Sequence, residues 1–300
     1  MNTMTDQQVL LRDPRTAYVT PPFTSQDSFA PPGKADQLTP RADHGEKTYK
    51  GSGKLRGMNA LVTGGDSGIG RAIAICYARE GANVAINYLS EEEDAAETQQ
   101  LVDAAGVKSK LVQGDLTDET FCESLIEQVA AAFGDISILV NNAARQRRAE
   151  SLEEFSSEEF DKIMKTNVYA AFWASRAALK HIPAGGSIIN TVSIQGYTPA
   201  GRLLHYATSK SALIGMTKGM ADLAIEQGVR VNAVAPGPVW TPLIPSTLAV
   251  DKFQHFGENT VFGRPAQPAE LAPLYVWLAS PEASFVTGEV YGATGGRSPV

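Results

Sequence analysis

The stretch Ala60-Leu61-Val62-Thr63-Gly64-Gly65-Asp66-Ser67-Gly68-Ile69-Gly70-Arg71 decides the fold. A short apolar run gives way to a glycine-rich turn, and the turn to a helical pattern carrying Ile73, Ile75, Cys76 and Tyr77. Strand, glycine turn and helix, in that order, form the cradle in which a parallel sheet holds a pyrophosphate. Gly64 permits the tight turn, Gly68 lets backbone N–H groups approach the phosphates, and Gly70 lets the helix close on the strand. Asp66, Ser67 and Ile69 share this loop, and the free N–H donors and positive dipole end of the following helix favour an anion there.

Downstream the same alternation of strand and helix recurs. Short β-branched runs predict strands near 58–63, 83–88, 108–113, 136–140, 186–192, 229–235 and 289–293, with helices filling the gaps. Val84-Ala85-Ile86, residues 136–140 and Ser187-Ile188-Ile189 are too continuously apolar for a sheet with one wet face. The expected fold is therefore α/β: a doubly wound, Rossmann-like parallel sheet of seven strands, covered by helices on both faces, in a single domain over residues 55–300.

Upstream lies a Pro-rich N-terminal arm, residues 1–54. Six of the 17 prolines fall in the first 40 residues, and residues 1–57 carry a net +2 against −9 for the remainder. Such a segment is either a leader with no role or an arm lying on an acidic surface. Tyr18, Phe23, Phe29 and Tyr49 favour the ordered arm, because a solvated tail has little use for four aromatics.

Composition narrows the function. At 300 residues and 43% hydrophobic content, one large α/β domain can bury its own core. The net charge of −7 argues against a nucleic-acid surface. No apolar run reaches the roughly 18 residues that span a bilayer, so no membrane partner is expected. Asp6, Arg12 and Asp13 interrupt any secretory apolar region, and the expected location is cytoplasmic. Cys76 and Cys122, and the scattered His44, His181, His205 and His255, have no metal-ligand spacing, so no metal is expected.

Which nucleotide the loop takes depends on the end of the second strand, Asn87-Tyr88-Leu89-Ser90. An acid there would grip a ribose 2′-OH and an arginine would favour a 2′-phosphate, and neither is present. Asp66 and the run Glu91-Glu92-Glu93-Asp94 would repel an extra phosphate, with Arg71 the one nearby cation, so the reading leans to NAD over NADP. The same acidic run also suits the start of a helix, whatever binds beside it.

Tyr206 and Lys210 are four residues apart and share one face of a predicted helix. An ammonium beside a phenol lowers its pKa toward the working range of a general acid/base. Ser193, just past the predicted fifth strand, could hold a substrate oxygen. With these residues in view the chain resembles the short-chain dehydrogenase/reductase family, from about residue 55 to 296. Thr63-Gly64-x-x-x-Gly68-Ile69-Gly70 is similar to the family's TGxxxGIG loop and Asn141-Asn142-Ala143-Ala144 to its NNAG segment, with Ala144 where glycine is usual. Asn167, Ser193, Tyr206 and Lys210 match its catalytic tetrad.

The resemblance implies hydride transfer between a nicotinamide cofactor, NAD or NADP, and an alcohol/carbonyl pair: an aldehyde, ketone or oxo-acyl substrate. Tyr206 would transfer the proton, Lys210 would bind the nicotinamide ribose and lower the Tyr206 pKa, Ser193 would polarise the carbonyl, and Asn167 would hold a relay water. Asn87 and Tyr88 would border the adenosine ribose. Asp115, with Leu116 beside it, matches an adenine contact, while Asn142 and Ala143 lie by the adenosine ribose. Pro236, Gly237, Val239 and Thr241 match the segment holding the carboxamide. The arm resembles that of a subgroup similar to aldehyde or oxo-acyl reductases, and relatives imply a homotetramer. A nucleotide-sensing protein on the same fold is the alternative, which the complete tetrad disfavours.

Two further segments bear on substrate. Arg145, Arg147 and Arg148 follow the NNAA segment and either attract an anionic substrate or pair with Glu150, Glu153 and Glu154. Residues 240–262, carrying Trp240, Leu243, Ile244, Leu248, Phe253, His255, Phe256 and Phe262, form either a substrate lid or a helix packed on the core or a neighbouring subunit.

Overall fold

In the computed structural model, which describes residues 13–297, seven parallel strands form one sheet in the order β3-β2-β1-β4-β5-β6-β7. The strands are β1 (Asn59–Thr63), β2 (Asn83–Tyr88), β3 (Ser109–Gln113), β4 (Ile138–Asn141), β5 (Ser187–Thr191), β6 (Arg230–Pro236) and β7 (Val290–Ala293). They lie within one or two residues of the expected runs. The chain passes from β1 to β2 and β3 on one side, then returns to β4 beside β1. That reversal leaves a crevice beyond the carboxyl ends of β1 and β4, the place where ligands bind in such sheets.

Successive side chains on a strand point to opposite faces, and both faces are dry. Ala60, Val62, Val84, Ile86 and Val140 pack into a core with α1 (Gly68–Arg79) and α7 (Pro268–Ala279). Leu61, Ala85, Leu139, Ile188 and Val231 face the other core, built with α3 (Glu119–Phe133), α5 (Ala170–Ala178) and α6 (Leu204–Ala224). Local chemistry sets the helix ends. Asp118 caps α3 by accepting from the Thr120 N–H at 2.9 Å, and Ser156 caps α4 (Ser157–Met164) by accepting from Glu159 at 3.1 Å. A π-helical turn, Lys165–Tyr169, joins α4 to α5. Among the described residues no helix is long and apolar enough to cross a membrane.

The arm lies against the body of the protein. Phe23 stacks on Trp240 with ring centroids 4.2 Å apart, and Trp240 Nε1 donates to the Pro40 carbonyl at 2.8 Å. Leu38, Ala42, Ile244 and Phe253 complete this small separate core. Tyr18 donates to Asp43 at 2.7 Å, and Arg264 donates to the Pro14 carbonyl. The acidic surface the arm meets is α2 (Glu92–Asp103), where Lys34 and Arg41 pair with Glu93 and Glu97. Asp6 and Arg12, invoked against a secretory segment, lie outside the described residues.

Candidate active site

A cleft of about 660 Å³ opens along the carboxyl edge of the sheet, lined by residues that follow each of the first six strands. It contains Gly64, Asp66, Ser67, Gly68 and Ile69 after β1, Asn87 and Tyr88 at the end of β2, and Asp115 and Leu116 after β3. Asn142 and Ala143 follow β4, Ser193 follows β5, Tyr206 and Lys210 project from α6, and Pro236, Gly237, Val239 and Thr241 follow β6. Two expected residues do not line it. Gly70 lies behind the loop, and Asn167 is buried beneath the cleft beside Thr63, Asn141 and Ala143.

The glycine loop fits a dinucleotide pyrophosphate. Gly64 and Gly68 sit at φ +59° and +52°, conformations that L side chains avoid. No side chain caps the N-terminus of α1, so its first-turn N–H groups and dipole face the cleft without an internal competitor. Asn142 fixes the turn by donating to the Thr63 and Gly64 carbonyls at 3.1 and 3.0 Å. A Cβ on Gly70 would stand 1.9 Å from the Gly64 carbonyl oxygen and 2.6 Å from Asn142 Nδ2. Gly70→Ala must therefore push helix and loop apart. We expect coenzyme affinity to fall by at least about tenfold and the Tm to drop by several degrees, read by fluorescence titration and thermal melts; unchanged coenzyme binding would contradict this account of the loop.

At the other end, Ser193, Tyr206 and Lys210 converge. Ser193 is buried, and its Oγ accepts from the Gln195 N–H at 3.1 Å. One oxygen lone pair is thereby occupied, and the hydroxyl hydrogen is left for a partner in the cleft. Lys210, 1% exposed, donates from Nζ to the Thr191 carbonyl at 2.6 Å and lies 5.6 Å from the centre of the Tyr206 ring. Burial pushes its pKa down to about 7. Burial also pushes Tyr206 up to about 12, with the hydrogen bond to Ser193 pulling the other way. The expected lowering of the Tyr206 pKa by Lys210 is thus outweighed by burial. The physical reason is that the ammonium is itself desolvated, and a lysine near 7 is only partly charged at neutral pH.

The side chain of Asn167 is tied to the backbone beside it. Its side chain accepts from the Arg145 N–H at 2.7 Å and donates to the Arg145 carbonyl and Ser209 Oγ, both at 2.9 Å. Both amide hydrogens are committed. The side chain brackets the backbone of Arg145 and so fixes the start of the arginine loop.

That loop resolves the three arginines. Arg145 forms a two-pronged pair with Glu159 at 2.7 and 3.1 Å, and Arg148 pairs with Glu150 at 2.9 Å. Arg147, exposed and on the cleft wall, has no ion-pair partner among the described residues. Glu159, missed in the sequence, is the buried acid that neutralises Arg145. The 240–262 segment also divides. Trp240 and Phe253 are fully buried with the arm, whereas Leu243, Ile244, Leu248 and Phe256 line the cleft. His205 lies between Phe155 and Phe160, at 4.5 and 4.6 Å, away from the chemistry.

Arg71, taken from sequence as the cation near the nucleotide, is spent. It is buried and donates to the Asp66 carbonyl at 2.8 Å, to Glu97 at 2.8 Å and to Asp94. Two of the acids around it are paired as well, and a third is shifted by burial. Asp94 pairs with Arg71, Glu93 with Lys34, and burial pushes Asp66 up to about 6.

Known proteins match this arrangement. A family profile described as Enoyl-(Acyl carrier protein) reductase matches residues 64–298. Oxidoreductase YghA of Escherichia coli is 48% identical over 289 residues, covering 96% of this chain and 98% of its own. NADPH-dependent aldehyde reductase 1 of Arabidopsis thaliana is 41% identical over 278 residues, covering 90% and 96%. A Burkholderia cenocepacia short-chain dehydrogenase solved with NADP superposes at a TM-score of 0.76, with 35% identity over 81% of this chain and 98% of that one. The YghA match leaves too little of this chain outside it for the 54-residue arm to be excluded. A glycine cradle at one end of the crevice, a Ser–Tyr–Lys cluster at the other and relatives of this kind make the chain a member of the short-chain dehydrogenase/reductase family, an NAD(P)-dependent oxidoreductase that moves hydride between a nicotinamide and an alcohol/carbonyl pair.

Proposed function

We propose that the protein interconverts an aldehyde or oxo-acid with its alcohol, using Tyr206 as the proton donor and acceptor. The observation that carries this reading is the convergence of Ser193, Tyr206 and Lys210 at one end of a cleft whose other end is an uncapped helix N-terminus. The coenzyme, when bound, supplies or takes the hydride at its nicotinamide carbon. In the reductive direction the Tyr206 hydroxyl gives its proton to the substrate oxygen. Ser193, its Oγ steered by Gln195, donates a second hydrogen bond to that oxygen. Lys210 would hold the nicotinamide ribose, and its charge would rise as a phenolate forms beside it. Asn167 acts by position, through the backbone of Arg145.

For the coenzyme, the loop, Asn87, Tyr88, Asp115, Leu116, Asn142 and Ala143 would hold the adenosine half, and Pro236, Gly237, Val239 and Thr241 the carboxamide. The solved and curated relatives that use NADP or NADPH favour the phosphorylated form. The lean toward NAD rested on repulsion by acids, of which Asp94 pairs with Arg71 and Glu93 with Lys34, while burial pushes Asp66 up to about 6 and Glu91 stays on the cleft wall. Paired fluorescence titrations with NADPH and NADH test the choice, and tighter binding of NADH would reverse it.

Arg147 supports an acidic substrate, because it is the arginine of the loop left free to meet one. Arg147→Gln should raise KM for an oxo acid by about three- to tenfold and leave neutral aldehydes unchanged. Steady-state kinetics on both classes checks this, and an equal effect on both would contradict it. Tyr169, Phe172 and Phe285, at 44%, 43% and 103% exposure, are apolar surface that a homotetramer would cover. Buried unpaired thiols at Cys76 and Cys122 suit a reducing compartment, the cytoplasm.

A further inference from the structure

Pro31 and Pro32, in the arm, line the same cleft as Gly68, Tyr88 and Glu91. Their neighbours fix where they cross it. On one side Lys34 Nζ reaches Glu93 at 2.8 Å, and the Ala35 N–H donates to the Asp94 carboxylate at 2.8 Å in a buried contact. Both acids belong to the first turn of α2, directly after the β2 end. On the other side the Cβ direction of Gly33 meets the Pro242 carbonyl at 3.1 Å, and the Pro242 ring lies 3.9 Å from the Cβ direction of Gly68 in the phosphate loop. The chain at 31–35 therefore spans from the adenosine-side helix to the opposite cleft wall, above the glycine loop.

The span is held at its base. Gln26, 3% exposed, accepts from the Thr39 N–H and donates to the Gln37 carbonyl at 3.2 Å, closing residues 27–38 into a loop. Phe23 anchors the near end on Trp240, and its N–H donates to the Gln254 carbonyl at 2.9 Å. Inside the loop Pro31 and Pro32 are exposed, as is Leu89 at 51% on the facing cleft wall. Together they offer apolar surface at the mouth of the crevice against which something flat and apolar could pack.

We propose that the arm is part of the coenzyme site: Pro31 and Pro32 form a strap whose rings make the outer wall of the adenosine pocket. This rests on the coenzyme reading above. The residues at the β2 end provide neither an acid nor an arginine for the ribose, and the strap supplies contact from outside the sheet. Because its anchor on Trp240 also belongs to the segment carrying Leu243, Ile244 and Leu248, the strap joins the adenosine end of the cleft to the substrate end.

The test compares 5′-AMP, reduced nicotinamide mononucleotide and NADPH by calorimetry on the full chain and on Pro31→Gly/Pro32→Gly. The variant should bind AMP and NADPH about tenfold more weakly and the mononucleotide within about twofold of wild type. Hydrogen exchange on the wild-type protein reads the same contact without a variant, since AMP should slow exchange at the N–H groups of residues 33–38 and the mononucleotide should not. Unchanged AMP affinity in the variant, an equal loss for both halves of the coenzyme, or no AMP protection of residues 33–38 would overturn the strap alone. A wild-type protein that binds neither NADPH nor NADH would overturn the coenzyme reading and the strap with it.

Discussion

Tyr206→Phe should lower kcat for carbonyl reduction by about a thousandfold or more while coenzyme affinity stays within about twofold. The ring still fills its place against Lys210, and the hydroxyl that gives the proton is gone. Because burial pushes Tyr206 up to about 12, the phenol is protonated throughout the neutral range and stands ready as an acid. Oxidation of the alcohol needs the phenolate. For wild type, kcat/KM for oxidation should therefore rise with pH through the neutral and alkaline range, while reduction stays flat or falls. The variant should lose that slope together with its turnover. Steady-state rates in both directions across pH provide the check, and a phenylalanine variant with wild-type turnover would remove Tyr206 from the reaction.

Lys210→Met should separate activity from stability. Turnover should fall by about a hundredfold or more, with KM for coenzyme raised, since both the ribose contact and the nearby charge are lost. Stability should move the other way. The folded lysine sits near 7 against an ordinary value of 10.5, so between these pH values the folded protein binds fewer protons than the unfolded one. Wild-type stability from this group is greatest above 10.5, is lost as pH falls toward 7, and stays low below that. The methionine variant escapes this cost, so its Tm should exceed wild type by about 5 °C at pH 6, with the gap closing as pH rises toward 10. Thermal melts across pH check the sign, and a gap that widens with pH would contradict it. A buried ammonium held at a net cost is the kind of strain that active sites retain because the reaction needs it.

The fold was legible because its signals are local. Continuous apolar runs such as Val84-Ala85-Ile86 report burial on both faces, and the spacing of Gly64, Gly68 and Gly70 reports a turn packed against a helix. Ser193, Tyr206 and Lys210 were legible for a related reason, since residue type and i, i+4 spacing carry over directly into a shared helix face. What sequence did not reveal depends on partners distant in the chain. Glu159 claims Arg145 from 14 residues away, Asp94 and Glu97 claim Arg71, and Asn167 spends its amide on Arg145 and Ser209. Each looks free until the chain folds. The pKa of Tyr206 was misjudged because spacing gives the neighbour of an ionisable group but not the desolvation both groups share. Pro31 and Pro32 gave only compositional irregularity, and their place over the cleft follows from anchors at Trp240 and Asp94, more than 60 residues away.

Transfer of hydride to a carbonyl is the central claim, and deuterium reads it directly. Wild-type protein incubated with NADPH or NADH carrying deuterium at both positions of nicotinamide C4, and with a panel of neutral aldehydes and oxo acids, should yield an alcohol carrying deuterium on the former carbonyl carbon. The label should vanish in Tyr206→Phe under the same conditions. Coenzyme that binds tightly while no alcohol in the panel acquires deuterium would contradict the account and leave a nucleotide-binding protein in its place.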